Sequence, residues 1–306
     1  VANGCTGTTS SALVTVTPLP VVSFIPCFDT ITTTNAQPIR LRGNKPLGGT
    51  FSGAGVYETG SGGGTASTWY FNPAMAGPGT HLITYTYTND FGCMDSATIF
   101  VLNSPFSILN CGDSLTDIRD NQKYPTVEIN GQCWMAANLN YGNPIAGSQL
   151  QRDNCLWEKY CYGDNPAQCA LGGGLYQWDE AMQYATDAAV QGFCPPGWHI
   201  PTEADWNALF ANYISNGFAG NALTHTGYSG FNALLTGIRF QNLVWKYPVT
   251  DPTLRSILFW SSSVHGSHKA WAHGMNEVVA DIEYTPGVSI YSAFISNAFA
   301  IRCLMD

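Results

Sequence analysis

Ten cysteines in a chain of 306 residues constrain this fold more than any other feature. None of them form CxxC or CxxCH, so their spacing suits neither a zinc knuckle nor haem attachment. Cysteines used this freely point to an oxidising compartment and disulfide cross-links. The remaining composition agrees: charged residues make up 11 %, while Gly, Ser, Thr, Asn and aromatic residues abound, the profile of a β-rich secreted protein. The net charge is -9 with 12 unclustered Lys and Arg, which argues against nucleic acid and anionic membrane surfaces as partners. No stretch is apolar over the length needed to span a bilayer as a helix, so no direct membrane insertion is expected. VANGC carries no start methionine, charged n-region or signal core, and the chain reads as an excised piece of something longer.

A length of this kind predicts about two domains. The first is announced by a repeat. ANGCTGTTSSALVTVTPLP at 2–20 and DFGCMDSATIFVLNSP at 90–105 share a turn, a Gly-Cys pair, a Ser/Thr-rich bend, an alternating strand and a proline, and they align Cys5 with Cys93. The second copy closes a unit over 21–104, so residues 1–20 are expected to be the terminal hairpin of a truncated upstream repeat. HLITYTYT and ATIFVLN read as half-buried strands flanking the turn signal NDFG. An antiparallel sandwich follows, with Cys27 early and Cys93 late, placed to staple its two sheets. The stretches GGTFSGAGVY, FNPAMAGPGTHLITYTYTNDFGC and VTVTPLP resemble the Ig-like repeats strung along large surface proteins of the Bacteroidetes type, which implies an all-β Ig-like sandwich serving as a stalk.

The second domain is expected over 105–306, with a texture that turns Trp-rich and helix-containing. YPTVEINGQCWMAANL reads as a hairpin joined at Asn130 and Gly131. LYQWDEAMQYATDAAVQG reads as a helix closed by Gly192, and TEADWNALFANYISNG as a second closed by Gly217. In the second helix Thr202 can cap the N–H of Asp205, and Trp206, Leu209, Phe210 and Tyr213 form one apolar stripe. Burying each of those side chains is worth roughly 1.5 to 3 kcal/mol. Phe299, Ile301 and Cys303 alternate in NAFAIRCLMD, which predicts a closing strand with all three inward. Together these make an α+β domain. The linker LNSPFSILN has one proline and little charge, and neither half shows a large apolar face awaiting the other, so the halves are expected to unfold separately.

TDIRDNQKYPTVEINGQCWMAANLNYG, EKYCYGDNPAQCALGGGLYQWDEAMQY, VQGFCPPGWHIPTEADWNAL, FWSSS and AIRCLMD resemble, in order, the blocks of the Fibrobacter succinogenes major paralogous domain. That family in turn is similar to the C-type lectin and formylglycine-generating-enzyme superfold, which implies paired terminal strands and a loop-rich binding face on a bacterial surface or secreted protein. On this resemblance Cys194 at the helix entrance bonds Cys303 on the closing strand. Cys161 and Cys169 bracket the short loop YGDNPAQ and read as a local bridge. Cys111, Cys133 and Cys155 are then left over; Cys155 with Cys133 is one reading, and the sequence leaves their pairing, and that of Cys5, open.

The catalytic candidates are weak. The superfold's enzymes need a reactive late cysteine pair, and only Cys303 lies late. GYSGF misplaces its second glycine for a nucleophile elbow. Glu277, Asp281 and Glu283 read as a solvated face. No catalytic residue and no enzyme activity are therefore expected. HGSHKAWAH brings His265, His268 and His273 close enough to ligate a metal if the stretch folds back, with loop histidines as the plainer reading. The lectin calcium motifs EPN, QPD and WND do not occur, and no cofactor is expected, a structural calcium ion staying an open reading.

Surface recognition remains. Trp245, Tyr247, Trp271, Tyr284, Tyr291 and Phe294 lie in the last third, where aromatic planes can stack on sugars or anchor proteins. The resemblance places Trp260 and Trp271 in the core. The ligand-contacting set is expected to be Tyr247, His265, His268, Tyr284, Tyr291, Ser292, Phe294, Ser296 and Asn297, with residues 284–298 as part of the recognition surface. The leading expectation is an extracellular, cell-surface or secreted adhesin or receptor tip that binds a glycan or a surface protein. The alternatives are a subunit of a surface filament or sheath that associates with copies of itself, and a diverged superfold enzyme.

Overall fold

The computed structural model describes residues 11, 16–60, 67–105, 109–185, 188, 190–214, 222–224, 227–246, 256–276 and 288–306. Cys5, most of the hairpin expected over 1–20, Gly217, Tyr247, Glu277, Asp281, Glu283 and Tyr284 lie outside the described residues. The protein is mostly β-sheet with few helices.

In the N-terminal part the alternating segments form a long antiparallel hairpin, Gly79–Thr88 against Met94–Ser104. Thr50–Ser52 flanks it antiparallel and Ile31–Thr33 flanks it parallel, giving a four-stranded sheet. A three-stranded sheet of Ile39–Arg40, Thr68–Phe71 and Val56–Thr59 shares its core, where Phe24, Phe51, Phe71, Ile83, Tyr85 and Val101 pack together. The Tyr85 hydroxyl donates to the Pro46 carbonyl at 2.5 Å and accepts from the Gly49 N–H at 2.7 Å. A side chain at Gly49 would put a Cβ 2.2 Å from the Thr86 carbonyl oxygen, so the tyrosine is closed over by a glycine.

The C-terminal part is built on a five-stranded sheet ordered Ser114–Thr116, Lys123–Ile129, Gln132–Met135, Leu304–Met305 and Trp198–His199. Its first hairpin turns at Asn130 (φ 56°) and Gly131 (φ 76°), the two left-handed residues a tight two-residue turn requires. The expected closing strand is instead two short ones in different sheets, Ala298–Phe299 and Leu304–Met305, with Leu304 opposite Trp134 and His199; Phe299, Ile301 and Cys303 are all buried in one core. The helix Glu203–Ile214 starts as expected, with the Asp205 N–H donating to Thr202 Oγ1 at 3.3 Å and Thr202 donating back to the Asp205 carboxylate. Trp206, Leu209 and Phe210 are fully buried and Tyr213 partly so.

Three further expectations are corrected. The helix expected over LYQWDEAMQYATDAAVQG is a single turn, Trp178–Ala181. Gln183 and Tyr184 adopt left-handed φ of 52° and 59°, which no helix accommodates, and the buried Gln183 amide donates to the Gly192 carbonyl at 2.8 Å instead. With that helix gone, the C-terminal part is richer in strand than an α+β reading implies. Within the segment 284–298, residues 288–294 form a strand, Val288–Phe294. Cys27 is bonded to Cys155, not to Cys93, with Cα atoms 4.6 Å apart. Cys93 sits in the hairpin turn, its N–H held at 2.9 Å by the Asn89 side chain, and is unpaired among the described residues. Cys27 lies beside Arg42, whose guanidinium donates to the Cys27 carbonyl at 2.8 Å and pairs with Asp153, two residues from Cys155.

The remaining bridges are Cys111–Cys133, Cys161–Cys169 and Cys194–Cys303. Cys155 therefore does not pair with Cys133.

The two halves also meet more closely than the linker suggests. Arg119, its side chain buried, binds Asp117 at 2.7 Å and Asp29 of the N-terminal part at 3.1 Å, and its guanidinium lies 3.9 Å from the centre of the Tyr141 ring. Burial opposes its charge, but the carboxylates of Asp29 and Asp117 outweigh it and hold the guanidinium more firmly protonated than usual. Gln191 donates to Asp29 at 3.1 Å, and the Gln37 N–H donates to Asp306 at 3.3 Å. Tyr70 buries its ring in the C-terminal core, so an apolar contact that neither half's sequence announced joins the two.

Candidate functional site

The segment that ends the chain's last sheet positions the site. Ser256–Val264, Lys269–Asn276 and Val288–Phe294 form a three-stranded antiparallel sheet lying between two cores. Leu258, Trp260, Ala270, Ala272 and Ala293 belong to one core, and Ile257, Phe259 and Met275 to the other. Val288–Phe294 is the edge strand, and no strand covers its outer side among the described residues. Successive side chains of a strand alternate between faces, so Tyr291 and Phe294 project oppositely. Both are exposed, at 48 % and 44 %.

Small residues in the middle strand explain why Tyr291 stands where it does. It pairs with Ala272, and a Cβ added at Gly274 would fall 2.8 Å from Tyr291 Cε2. The ring therefore rests on the space that glycine leaves, beside Leu258. Phe294 pairs with Lys269, whose ammonium lies 4.9 Å from the centre of the Phe294 ring. Beyond Phe294 the chain turns sharply, Asn297 N–H donating to the Phe294 carbonyl at 2.9 Å.

Two clefts open on either side of this turn. The first, about 440 Å³, is walled by Ile238, Phe240, Leu258, Tyr291, Phe294 and Phe299, with Ser292 and Asn297 at its border. The second, about 470 Å³, is bordered by Leu150, Gln177, Asp179, Glu180, Tyr184, His268, Phe294 and Ser296. Phe294 and Gln241 line both and form the ridge between them. The ridge is fixed from below: the Gln241 N–H donates to Asn297 Oδ1 at 2.8 Å, Ser296 Oγ to Gln241 Oε1 at 3.0 Å, and Gln177 Nε2 to the Ser296 carbonyl at 2.8 Å.

Of the expected ligand-contacting residues, then, Tyr291, Ser292, Phe294 and Asn297 meet at the first cleft and His268, Phe294 and Ser296 at the second. Asn297 is buried and holds the ridge instead of facing outward. His265 stands apart at the hairpin tip, 2.8 Å from Ser292 Oγ, its ring centre 4.3 Å from that of Trp271. Trp271 is half-buried, contrary to the core placement the resemblance implies, its ring packed against that exposed histidine near the hairpin tip.

The histidine trio does not assemble. His273 points into the core, stacked on Trp206 at 5.0 Å and hydrogen-bonded to Glu203 at 2.9 Å. Burial pushes its pKa down to about 3, so it stays neutral. Among the described residues no group of three His, Cys, Asp or Glu could hold a metal ion.

The second cleft supplies what the sequence reading missed. Asp179 and Glu180 were hidden in a stretch read as the start of a long helix. Glu180 is buried and accepts from the Glu158 N–H at 3.0 Å and the Tyr184 hydroxyl at 2.8 Å; burial, outweighing those bonds, lifts its pKa to about 7. Asp179 is half-buried, and burial lifts its pKa as well. Phe240 and Gln241 were equally illegible, since nothing local in TGIRFQN marks a cleft wall. Chemically the arrangement is suited to holding a ligand: one cavity with aromatic and aliphatic walls and a polar border, a second that carries Asp179 and Glu180, and an aromatic ridge between.

Residues 127–305 match the model of the Fibrobacter succinogenes major domain. The chain belongs to this family. The match opens inside the first strand of the Asn130–Gly131 hairpin and closes in the strand that pairs with that hairpin, so both clefts lie within the Fibrobacter succinogenes major domain. Cys27, Asp29 and Arg42, which fasten the N-terminal part to it, lie outside the match. Neither the curated proteins nor the solved structures contain a match to the chain.

Proposed function

We propose that this chain is the binding tip of an extracellular bacterial surface protein, an adhesin or receptor, with its ligand held at the two clefts around Phe294. In this reading residues 105–306 form a C-type-lectin-like domain, residues 21–104 an Ig-like stalk unit and residues 1–20 the end of a preceding unit. The chain binds and does not catalyse. Membership of the Fibrobacter succinogenes major domain family and the four disulfides are consistent with a surface or secreted protein. The observation that carries the reading is the pairing of two sizeable clefts with two exposed aromatic side chains that border them. Large cavities with convergent polar groups and aromatic anchors are where ligands bind.

The test is a screen of the whole chain against arrayed glycans and extracellular proteins, repeated with the Tyr291→Ala, Phe294→Ala double variant. The whole chain is needed because Cys27 cross-links the two parts. Loss of a bound partner with an unchanged melting temperature supports the site; normal binding by the double variant refutes it. One observation favours a second reading, a filament subunit: the uncovered edge of Val288–Phe294 exposes Ile290 beside Phe294, and apolar sheet edges pair with other chains. Sedimentation of the chain at rising concentration distinguishes the two.

A further inference from the structure

Asp179 differs from the other carboxylates around it. Glu180 is bonded by Glu158 and Tyr184, and Asp153 by Arg42. The Asp179 carboxylate has no hydrogen-bond or ion-pair partner among the described residues, although it is half-buried at the wall of a cleft of about 470 Å³. Arg42 is taken up by Asp153 and the Cys27 carbonyl, and the Lys269 ammonium sits over Phe294. His268 lines the same cleft, its Nδ1 2.8 Å from Ser267 Oγ. A carboxylate that loses water without gaining a partner carries a cost that an incoming cation removes.

The first cleft sets the other half of the requirement. Ile238, Phe240, Leu258, Tyr291 and Phe299 line it together with the polar Asn242, Ser256 and Ser292, a lining that takes an aliphatic or aromatic side chain carried on a hydrogen-bonding backbone. Between the clefts, Gln241 is exposed and its Oε1 is occupied by Ser296, which leaves its amide N–H groups to donate to a passing carbonyl. A pocket with aromatic walls and polar border, an amide donor on the ridge and an unpaired carboxylate beyond it, in that order, match a polypeptide, whose side chains and backbone alternate apolar and polar groups in the same way. The chain's net charge of -9 draws in the same kind of partner.

We propose that the two clefts form one bipartite site for an extended cationic polypeptide segment, with an apolar side chain seated in the first cleft and an Arg or Lys side chain paired to Asp179 in the second. The proposal rests on the reading that these clefts are the ligand site, and names the ligand's class.

The experiment uses the whole, disulfide-intact chain and fluorescein-labelled, end-blocked nonapeptides of Ala and Ser that carry one Arg and one Phe, their spacing walked from neighbours to about four residues apart. Each peptide has a twin with citrulline, uncharged but nearly the same shape, in place of Arg. The expected result is retention of the Arg peptides at a preferred spacing, with affinity falling about ten- to a hundredfold for the citrulline twins, the range a hydrogen-bonded charge supplies. Asp179→Asn should bind both twins alike and melt as the parent does. The proposal is overturned if the unaltered chain treats the twins alike or binds neither, a comparison that needs no variant to fold. It is also overturned if Asp179→Asn still prefers Arg, or if Tyr291→Ala with Phe294→Ala leaves peptide binding intact. A glycan or uncharged protein captured through Tyr291 and Phe294 without preference for Arg would sink the cationic assignment alone and leave the clefts as the site.

Discussion

The Cys27–Cys155 bridge ties together two parts whose linker, by sequence, left them independent. Its removal is best done as Cys27→Ala with Cys155→Ala, so that no orphan thiol is left to capture Cys93. The bridged residues are 128 apart in sequence, and in the chain-entropy account closing a loop of that size restricts the unfolded chain by about 5 kcal/mol. That figure is the most the bridge can contribute to joint unfolding. What remains across the junction includes the Arg119–Asp29 pair at 3.1 Å, the Gln191 and Gln37 hydrogen bonds, the Arg40 bond to the Tyr184 carbonyl, the Arg42–Asp153 pair and the Tyr70 contact. Differential scanning calorimetry of the oxidised parent should show one coupled transition, and the double variant an earlier one in which the N-terminal sheets melt ahead of the rest. Peptide mapping without reduction gives the covalent half of the answer. A Cys27–Cys93 peptide, or a double variant that melts like the parent, would refute the reasoning.

Replacing Arg119 by Met leaves Asp117 and Asp29 buried without their shared cation, and should cost about 3 to 5 kcal/mol in a urea titration. Gly274→Val places a methyl-bearing carbon against the Tyr291 ring, and should swing that ring out of the first cleft with little loss of stability, read as lost ligand retention at a near-normal melting temperature. His199 gives the pH dependence: burial lowers its pKa, but the Asp205 and Asp306 carboxylates outweigh that and lift it to about 9 from 6.5. A raised pKa means that the folded state holds the proton longer, so this stabilisation, about 3 kcal/mol, is complete below pH ~6.5 and is lost as pH rises through ~9. Urea midpoints measured across that window should fall for the parent and stay flatter for His199→Gln.

What the sequence revealed was local. Asn130–Gly131 and the Thr202–Asp205 cap declare themselves within a few residues, and the alternation in HLITYTYT survives as a strand because nothing distant competes with it. The stretch after Trp178 failed for the opposite reason. Its helical spacing is overruled at Gln183 and Tyr184, where a buried amide finds the Gly192 carbonyl and the Tyr184 carbonyl accepts from Arg40 of the other half. The cysteine repeat misled in the same way: Cys93 occupies a repeat position, but Cys27 bonds Cys155 beside the Arg42–Asp153 pair, a contact with no trace in spacing. His265, His268 and His273 look adjacent in the chain, yet a hairpin sends the first two to a tip and the third into the core. The site was half legible. Exposed Tyr291 and Phe294 stood out as apolar residues among serines, whereas Asp179 and Gln241 become wall and ridge only when strands far apart in sequence close around them.

The strand Leu304–Met305 fills the gap between Gln132–Met135 and Trp198–His199. Synthesis runs from the other end, so the sheet's outer strands are made long before the piece that belongs between them. Through that interval Trp134 and Trp198 lack their neighbour, and Cys194 waits for a partner 109 residues downstream while earlier cysteines are already in reach. Correct oxidation of this chain is therefore a question of timing as much as of geometry: the thiol at the helix entrance must be kept reduced, or returned to that state by exchange, until the closing segment arrives.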